Sequence, residues 1–175
     1  MHLAMEIKPE EKCDSSDSSS FYSREDDLQE VFPNVFISNS TGSSRKQLMK
    51  GLGITHVLVT GVGLALVYPE QFTYKRLPLI DFPNMDIDKF FEPAFSFIDS
   101  AIFGDGKVLV HCAAGVSRSA TIVIGYIMFK SRIPYQTALE QVKSKRPIVK
   151  PNDGFVKQLQ EFEAREFSFK KPEES

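Results

Sequence analysis

Apolar residues recur along this chain with two periods, and their alternation sketches the fold. Ile54–Thr60 is an apolar, β-branched run bounded by glycines, the mark of a buried strand. Val35–Ile37 reads as a shorter strand and Phe72–Ile80 as one interrupted by Pro78. Lys107–Val110, after the turn Gly104-Asp105-Gly106, reads as another. Helical patterns fill the gaps. One over Ser44–Lys50 stops at Gly51. Ile87, Phe90, Phe91, Ala94, Ile98, Ala101 and Ile102 keep a 3.6-residue spacing, which sets them on a core face. Pro93 fits only the first turn of such a helix, so the regular helix begins near Phe91 or Glu92. The stretch after Ser119 is apolar on all sides and predicts a central buried helix. Pro134–Lys145 and Asn152–Glu166 predict two more, the second with Asn152 as N-cap and Phe155, Leu159 and Phe162 on one face. Strands alternating with helices predict an α/β layer fold.

Both ends lack this patterning. Glu10–Ser20 is Ser, Asp, Glu and Lys with one cysteine, too polar to offset its ordering entropy. Residues 1–26 are expected to form an acidic, Ser-rich disordered tail. One ordered domain over 27–167 follows, then a short polar tail over 168–175. A chain of 175 residues holds one sizeable core and not two.

The net charge of −2 averages two unlike parts: residues 1–30 carry −6 and residues 31–175 carry +4. The mildly basic domain suits an anionic ligand, yet no Arg/Lys stripe with interleaved aromatics points to nucleic acid. No apolar run approaches the roughly 20 residues of a membrane span. The first ten residues lack a signal-peptide core and a second-position glycine, so an intracellular location, cytoplasmic or nuclear, is expected. His2, His56 and His111 are too dispersed for a zinc site, and Cys13 and Cys112 cannot build a disulfide framework. No metal or cofactor is called for, and Cys112 is left as a reduced, reactive thiol.

Candidate chemistry concentrates at Val108-Leu-Val-His-Cys-Ala-Ala-Gly-Val-Ser-Arg-Ser119. A strand runs through a glycine-containing loop into an apolar helix. Such a turn aims successive backbone N–H groups into one concavity at a helix N-terminus, where an anion is favoured. Ala113, Ala114, Gly115, Val116 and Ser117 would line it. The same amides lower the pKa of a cysteine at the loop's start, and the thiolate is the nucleophile. Arg118 adds a planar fork suited to two phosphate oxygens. His111 is expected to orient the loop by hydrogen bonding, and Ser119 to donate to the cysteine sulfur. A phosphoester's leaving oxygen also needs an acid. Asp81, which opens a Pro/Asn-containing loop after the strand ending at Ile80, is the first candidate, with Asp86 in reserve.

The segment His-Cys-x-x-Gly-x-x-Arg-Ser resembles the Cys-x5-Arg phosphate loop of protein tyrosine phosphatases, in the form typical of the dual-specificity subfamily. Gly125-Tyr-Ile-Met128 and Arg146-Pro-Ile-Val-Lys-Pro-Asn-Asp-Gly-Phe155 resemble that subfamily as well, and the likeness spans approximately residues 31–162. It implies a central mixed, mostly parallel sheet of about five strands flanked by helices on both faces. It also implies hydrolysis through a cysteinyl-phosphate intermediate without metal, with Asp81, in a Pro-x-x-Asp pattern, in the place of the general acid. Inositol-lipid phosphatases of the superfamily carry lysines between the cysteine and the arginine; this loop has none. Phosphorylated proteins, with phosphotyrosine and phosphoserine or phosphothreonine, are therefore the expected partners of a monomeric single-domain enzyme. Two other classes stay open: a phosphoprotein-binding pseudophosphatase, and a phosphatase of RNA ends, carbohydrate or phosphoinositide.

Overall fold

A computed structural model describes residues 28–170; the tail expected over residues 1–26 and residues 171–175 lie outside the described residues. The strands are β1 (Leu28–Phe32), β2 (Val35–Ser38), β3 (Ile54–Thr60), β4 (Thr73–Leu77) and β5 (Lys107–His111). The helices are α1 (Lys46–Gly51), α2 (Phe91–Phe103), α3 (Arg118–Ser131), α4 (Tyr135–Lys145) and α5 (Asp153–Ala164). Short 3-10 turns at Gly42–Ser44 and Asp88–Phe90 lead toward α1 and α2.

Pattern and structure agree on β3 residue for residue and differ where local chemistry intervenes. β4 closes at Leu77 instead of Ile80, because Pro78 has no N–H to give the ladder. The Leu79 N–H turns back to the Leu77 carbonyl at 2.8 Å. Pro93 is the third residue of α2, where its missing N–H costs nothing. Asn152 caps α5, its side chain accepting the Phe155 N–H at 2.9 Å, and α5 ends at Ala164, short of Glu166. β1 carries no clear alternation in sequence and forms because β2 offers it an antiparallel edge, Leu28 opposite Ser38.

The sheet order is β1-β2-β5-β3-β4, with every pairing parallel except β1 with β2. Helices cover both faces, as the period-2 alternation of the strands requires. Phe36, Val57, Val59 and Leu109 meet Met49 of α1 on one side. Val35, Ile37, Leu58, Val108 and Val110 face the larger core with α2 to α5 on the other. α3 is buried from Ser119 through Met128, which explains its apolar circumference. The larger core centres on Phe95: its ring centroid stands 5.4 Å from that of Phe91, 5.6 Å from Tyr126 and 6.1 Å from Phe162. Phe169, beyond the end of α5, closes the cluster at 5.9 Å from Phe95.

Because β3, β4 and β5 run parallel, the segments leaving them at Gly61, Pro78 and Cys112 emerge on one edge of the sheet. This is the edge where open α/β sheets gather their ligands. Phe95→Ala, by opening a cavity at the centre of the aromatic cluster, is expected to lower stability by about 3–5 kcal/mol. Urea denaturation measures the loss.

Candidate active site

β5 delivers the chain to His111, α3 receives it at Arg118, and residues 112–117 arch between them. The arch is shaped by where its carbonyls go. Ala113 O accepts the Ser40 N–H at 3.0 Å, Gly115 O the Arg146 Nε–H at 3.0 Å, and Val116 O the Lys150 N–H at 2.9 Å. Ser117 O accepts the Thr121 N–H and hydroxyl, both at 2.8 Å. In a trans peptide the carbonyl of one residue and the N–H of the next point oppositely. Carbonyls pulled outward therefore turn the N–H groups of Ala114, Val116, Ser117 and Arg118 inward, at the start of α3. The result is an anion cradle of backbone donors on a helix N-terminus. Gly115 makes the arch possible. Its φ is +67°, and a Cβ there would stand 2.6 Å from Ser38 O.

Cys112 sits at the foot of the cradle, 1% exposed. Burial alone pushes a thiol's pKa up, but hydrogen bonds from the Ser119 hydroxyl, the Ser119 and Gly115 amides, and the Arg118 charge outweigh it; the net shift is downward. Two of these contacts are direct, Ser119 Oγ at 3.2 Å and Gly115 N at 3.2 Å from Sγ. His111 is buried, with Nδ1 3.3 Å from Cys112 O, and burial lowers its pKa to about 4. It is neutral near pH 7, a positioning group whose carbonyl the Thr60 hydroxyl holds at 2.8 Å. Arg118 Nε is buried with no hydrogen-bond partner among the described residues, the Asp81 carboxylate standing 4.0 Å off. That leaves a buried donor at the start of α3 with its hydrogen bond unmade.

Of the described aspartates upstream of Cys112, Asp81 alone reaches this group. Its Oδ1 accepts from the Ser117 hydroxyl at 2.8 Å and the Asn152 side-chain amide at 2.9 Å. Asp86 pairs instead with Lys170 at 3.4 Å, and Asp88 is buried against Arg165 at 2.6 Å. Asp99 bonds Tyr126 and Lys130, and Asp105 occupies the turn before β5 with φ 57°. A thiol with a lowered pKa, a ring of inward amides, an open guanidinium donor and one exposed carboxyl can bind a tetrahedral oxyanion, attack it and serve its leaving group.

Residues 35–165 match the family described as dual specificity phosphatase, catalytic domain. The chain belongs to the dual specificity phosphatase family. Its relatives include dual specificity protein phosphatase 1B of Arabidopsis thaliana, 43% identical over 78% of this chain and 82% of the relative. Human tyrosine phosphatase-like serine/threonine/tyrosine-interacting protein superposes with a TM-score of 0.77 at 34% identity, covering 82% of this chain and 99% of that one. A mouse putative dual specificity phosphatase complexed with zinc tungstate gives 0.76 at 28% identity, over 88% and 94%. As a member of this family the chain is a protein phosphatase, a hydrolase of the tyrosine phosphatase superfamily, and its five-stranded mixed sheet is the expected one.

The phosphatase also recruits residues that sequence reasoning passed over. Gly61, one of the glycines that bound the β3 run, leaves room for Arg118: a Cβ there would stand 2.8 Å from Nη1. Arg146, a near neighbour in sequence of Lys143, Lys145 and Lys150, is turned inward to Gly115 O and the Gln29 side chain. α5 serves as a rail for the loop that carries Asp81. Asn152 holds Asp81 itself, and Gly154 lies so close to Pro83 O that a Cβ would meet it at 1.9 Å. Gln158 takes the N–H groups of Ile87 and Asp88 at 2.9 and 3.1 Å and gives an N–H to Met85 O at 2.9 Å. Ser119→Ala, which removes a donor to Sγ, is expected to move the Cys112 pKa up. The pH dependence of iodoacetate alkylation reads it; an unchanged profile would show that the hydroxyl does not hold the thiolate.

Proposed function

We propose that this phosphatase hydrolyses phosphotyrosine and phosphoserine or phosphothreonine in proteins through a cysteinyl-phosphate intermediate, with Cys112 as nucleophile. The single observation that carries the reading is the cradle itself: a thiol with a lowered pKa under inward amides and an open Arg118 donor. The mouse relative complexed with zinc tungstate supports it, since tungstate is a tetrahedral oxyanion like phosphate.

In the first step the Cys112 thiolate attacks phosphorus, an S–P bond forms and the bond to the leaving oxygen breaks. Cradle amides and the Arg118 fork hold the equatorial oxygens as charge spreads over them. Protonated Asp81 gives its proton to the leaving oxygen. In the second step Asp81 takes a proton from water, the water oxygen bonds to phosphorus and the S–P bond breaks. Ser119 stabilises the departing thiolate, and inorganic phosphate is released. Ala113, Ala114, Val116 and Ser117 offer no cation to a second phosphate group, which favours a protein substrate over a phosphoinositide or an RNA triphosphate end. One chain supplies every group the reaction uses, which supports a monomer. The reduced thiol the reaction needs supports action in the cytoplasm or nucleus. No helix among the described residues is long and apolar enough to cross a membrane. The catalytic domain is assigned to residues 27–167, and Phe169 and Lys170, at the start of the segment expected as a polar tail, pack back onto it.

Cys112→Ser is expected to abolish turnover of a phosphotyrosine peptide while phosphate binding persists, since a hydroxyl is a poor nucleophile near pH 7. Arg118→Lys is expected to fail as well, because an ammonium cannot make the bidentate contact. Near wild-type rates in either variant would dismiss the mechanism. Asp81→Ala is expected to slow a phosphothreonine peptide by roughly 100-fold or more and to flatten the falling limb of the pH–rate profile. Its effect on an activated aryl phosphate should be smaller, because that leaving group needs no proton. Asp86→Ala should leave the limb in place; a reversed pattern would transfer the acid role to Asp86.

A further inference from the structure

Of the seven large apolar side chains exposed among the described residues, Val62, Leu66, Val67, Ile80, Phe82 and Ile148 stand on three loops. Each loop touches the phosphate cradle. The segment after β3 starts at Gly61, packed against Arg118; the segment after β4 carries Asp81, bonded to Ser117; the segment between α4 and α5 gives its Lys150 N–H to Val116 O. Phe103, the seventh, lies at the end of α2 near the opposite edge of the sheet. Exposed apolar side chains scattered singly need no explanation, but six on the loops that surround one concavity do.

Charge on these loops is as uneven as hydrophobicity. Residues 61–72, 78–87 and 147–152 contain one Lys or Arg between them, Lys150, against the acids Glu70, Asp81 and Asp86. Arg76 of β4 gives Nη2–H to Leu64 O at 2.6 Å and so braces the first loop. Arg146 is buried beneath the cradle. On these three loops an acidic flank on a substrate would find Lys150 alone, Lys143 and Lys145 lying on α4 and Arg45 and Lys46 beyond the Ser40 segment.

We infer that the mouth selects phosphoproteins whose modified residue is flanked by large apolar side chains, with Phe82 and Ile148 as specificity-determining residues. The inference rests on the phosphoprotein reading above. The rim is continuous with the phosphate cradle, so its occupant must place a phosphate in the cradle and apolar groups on the rim at once. A peptide phosphorylated between apolar residues does both. Burying part of an aliphatic or aromatic side chain on either side of the phosphate is worth on the order of tenfold in affinity.

The test uses the full chain and phosphopeptides that differ only in the residues beside one phosphotyrosine: Leu and Phe, Asp and Glu, or Ser. Apolar flanks are expected to raise kcat/KM by roughly tenfold or more over acidic ones, chiefly through KM. In Phe82→Ser and Ile148→Ser this ratio should fall toward one, each variant's rates being scaled to its own hydrolysis of phenyl phosphate. Acidic flanks equal to or better than apolar ones, or a preference that survives both substitutions, would overturn the inference and leave the phosphoprotein reading standing. If phenyl phosphate is hydrolysed and no phosphopeptide is, the phosphoprotein reading falls and the rim assignment falls with it. Sedimentation velocity covers a rival occupant: a dimer dispersed by Phe82→Ser, with no flank preference, would make the rim a self-association surface and overturn the inference.

Discussion

Everything the site does depends on a buried sulfur that holds negative charge more readily than free cysteine does. Burial opposes this, and in an apolar pocket Cys112 would be an inert thiol. The opposition is overcome by donors fixed in place: two amides, a hydroxyl and a guanidinium. Their fixity comes from groups that never touch sulfur. Ser40, Arg146, the Lys150 amide and Thr121 each hold a carbonyl of the arch outward, and the planarity of the peptide does the rest. Preorganised donors of this kind need no reorganisation when charge moves onto a phosphate.

Those outer groups come from distant parts of the sequence, which ties the chemistry to the fold. Ser40 follows β2, Arg146 ends α4, and Lys150 precedes α5. Arg146 also reaches Gln29 on β1, so the antiparallel edge strand is linked to the arch through one guanidinium. The carboxyl side of the site has its own support. Asn152 caps α5 with one end of its amide and holds Asp81 with the other. The rail continues through Gly154 and Gln158 to Asp88, a buried carboxylate bonded to Arg165 and within 3.3 Å of Lys170. A helix that reads in sequence as a plain amphipathic element thus fixes the Asp81 carboxyl relative to the cradle over Cys112.

Sequence reasoning reached the parts of this arrangement whose signals are local. The strand–loop–helix change from Val108 to Ser119 is legible because three kinds of pattern switch within twelve residues, and β3, α2 and α5 are legible from their periods and caps. β1 was not, since its hydrogen bonds are supplied by β2 and leave little trace in Leu28–Phe32. The inward turn of Arg146 was not either: among four nearby cations, nothing in sequence marks the one that will be buried. Gly61, Gly154 and Gln158 share this limit: the close approach of Gly61 to Arg118 exists only once α3 is in place, and the contacts of Gly154 and Gln158, one a bond across 71 residues, only once α5 lies along the loop. Asp81 was an intermediate case. Its place after a strand and its Pro-x-x-Asp pattern put it first with Asp86 in reserve, and its contacts with Ser117 and Asn152 set it apart in space from Asp86, Asp88, Asp99 and Asp105.

The contrast between the floor of the site and its mouth follows from the same topology. The floor is built where three parallel strands end, and its donors are backbone amides, the Ser119 hydroxyl and one arginine. The loops above it add exposed apolar side chains, Val62, Leu66, Val67, Ile80, Phe82 and Ile148, beside the polar Asp81, Asn152 and Lys150. A phosphate held by fixed amides gains the same binding energy whatever protein carries it, so the cradle cannot discriminate among phosphoproteins. Discrimination must come from differences in affinity outside the cradle. Where three loops carry one lysine and six exposed aliphatic and aromatic side chains, the difference those loops offer is burial of apolar surface. The floor therefore fixes the reaction, and the rim is left to fix the substrate.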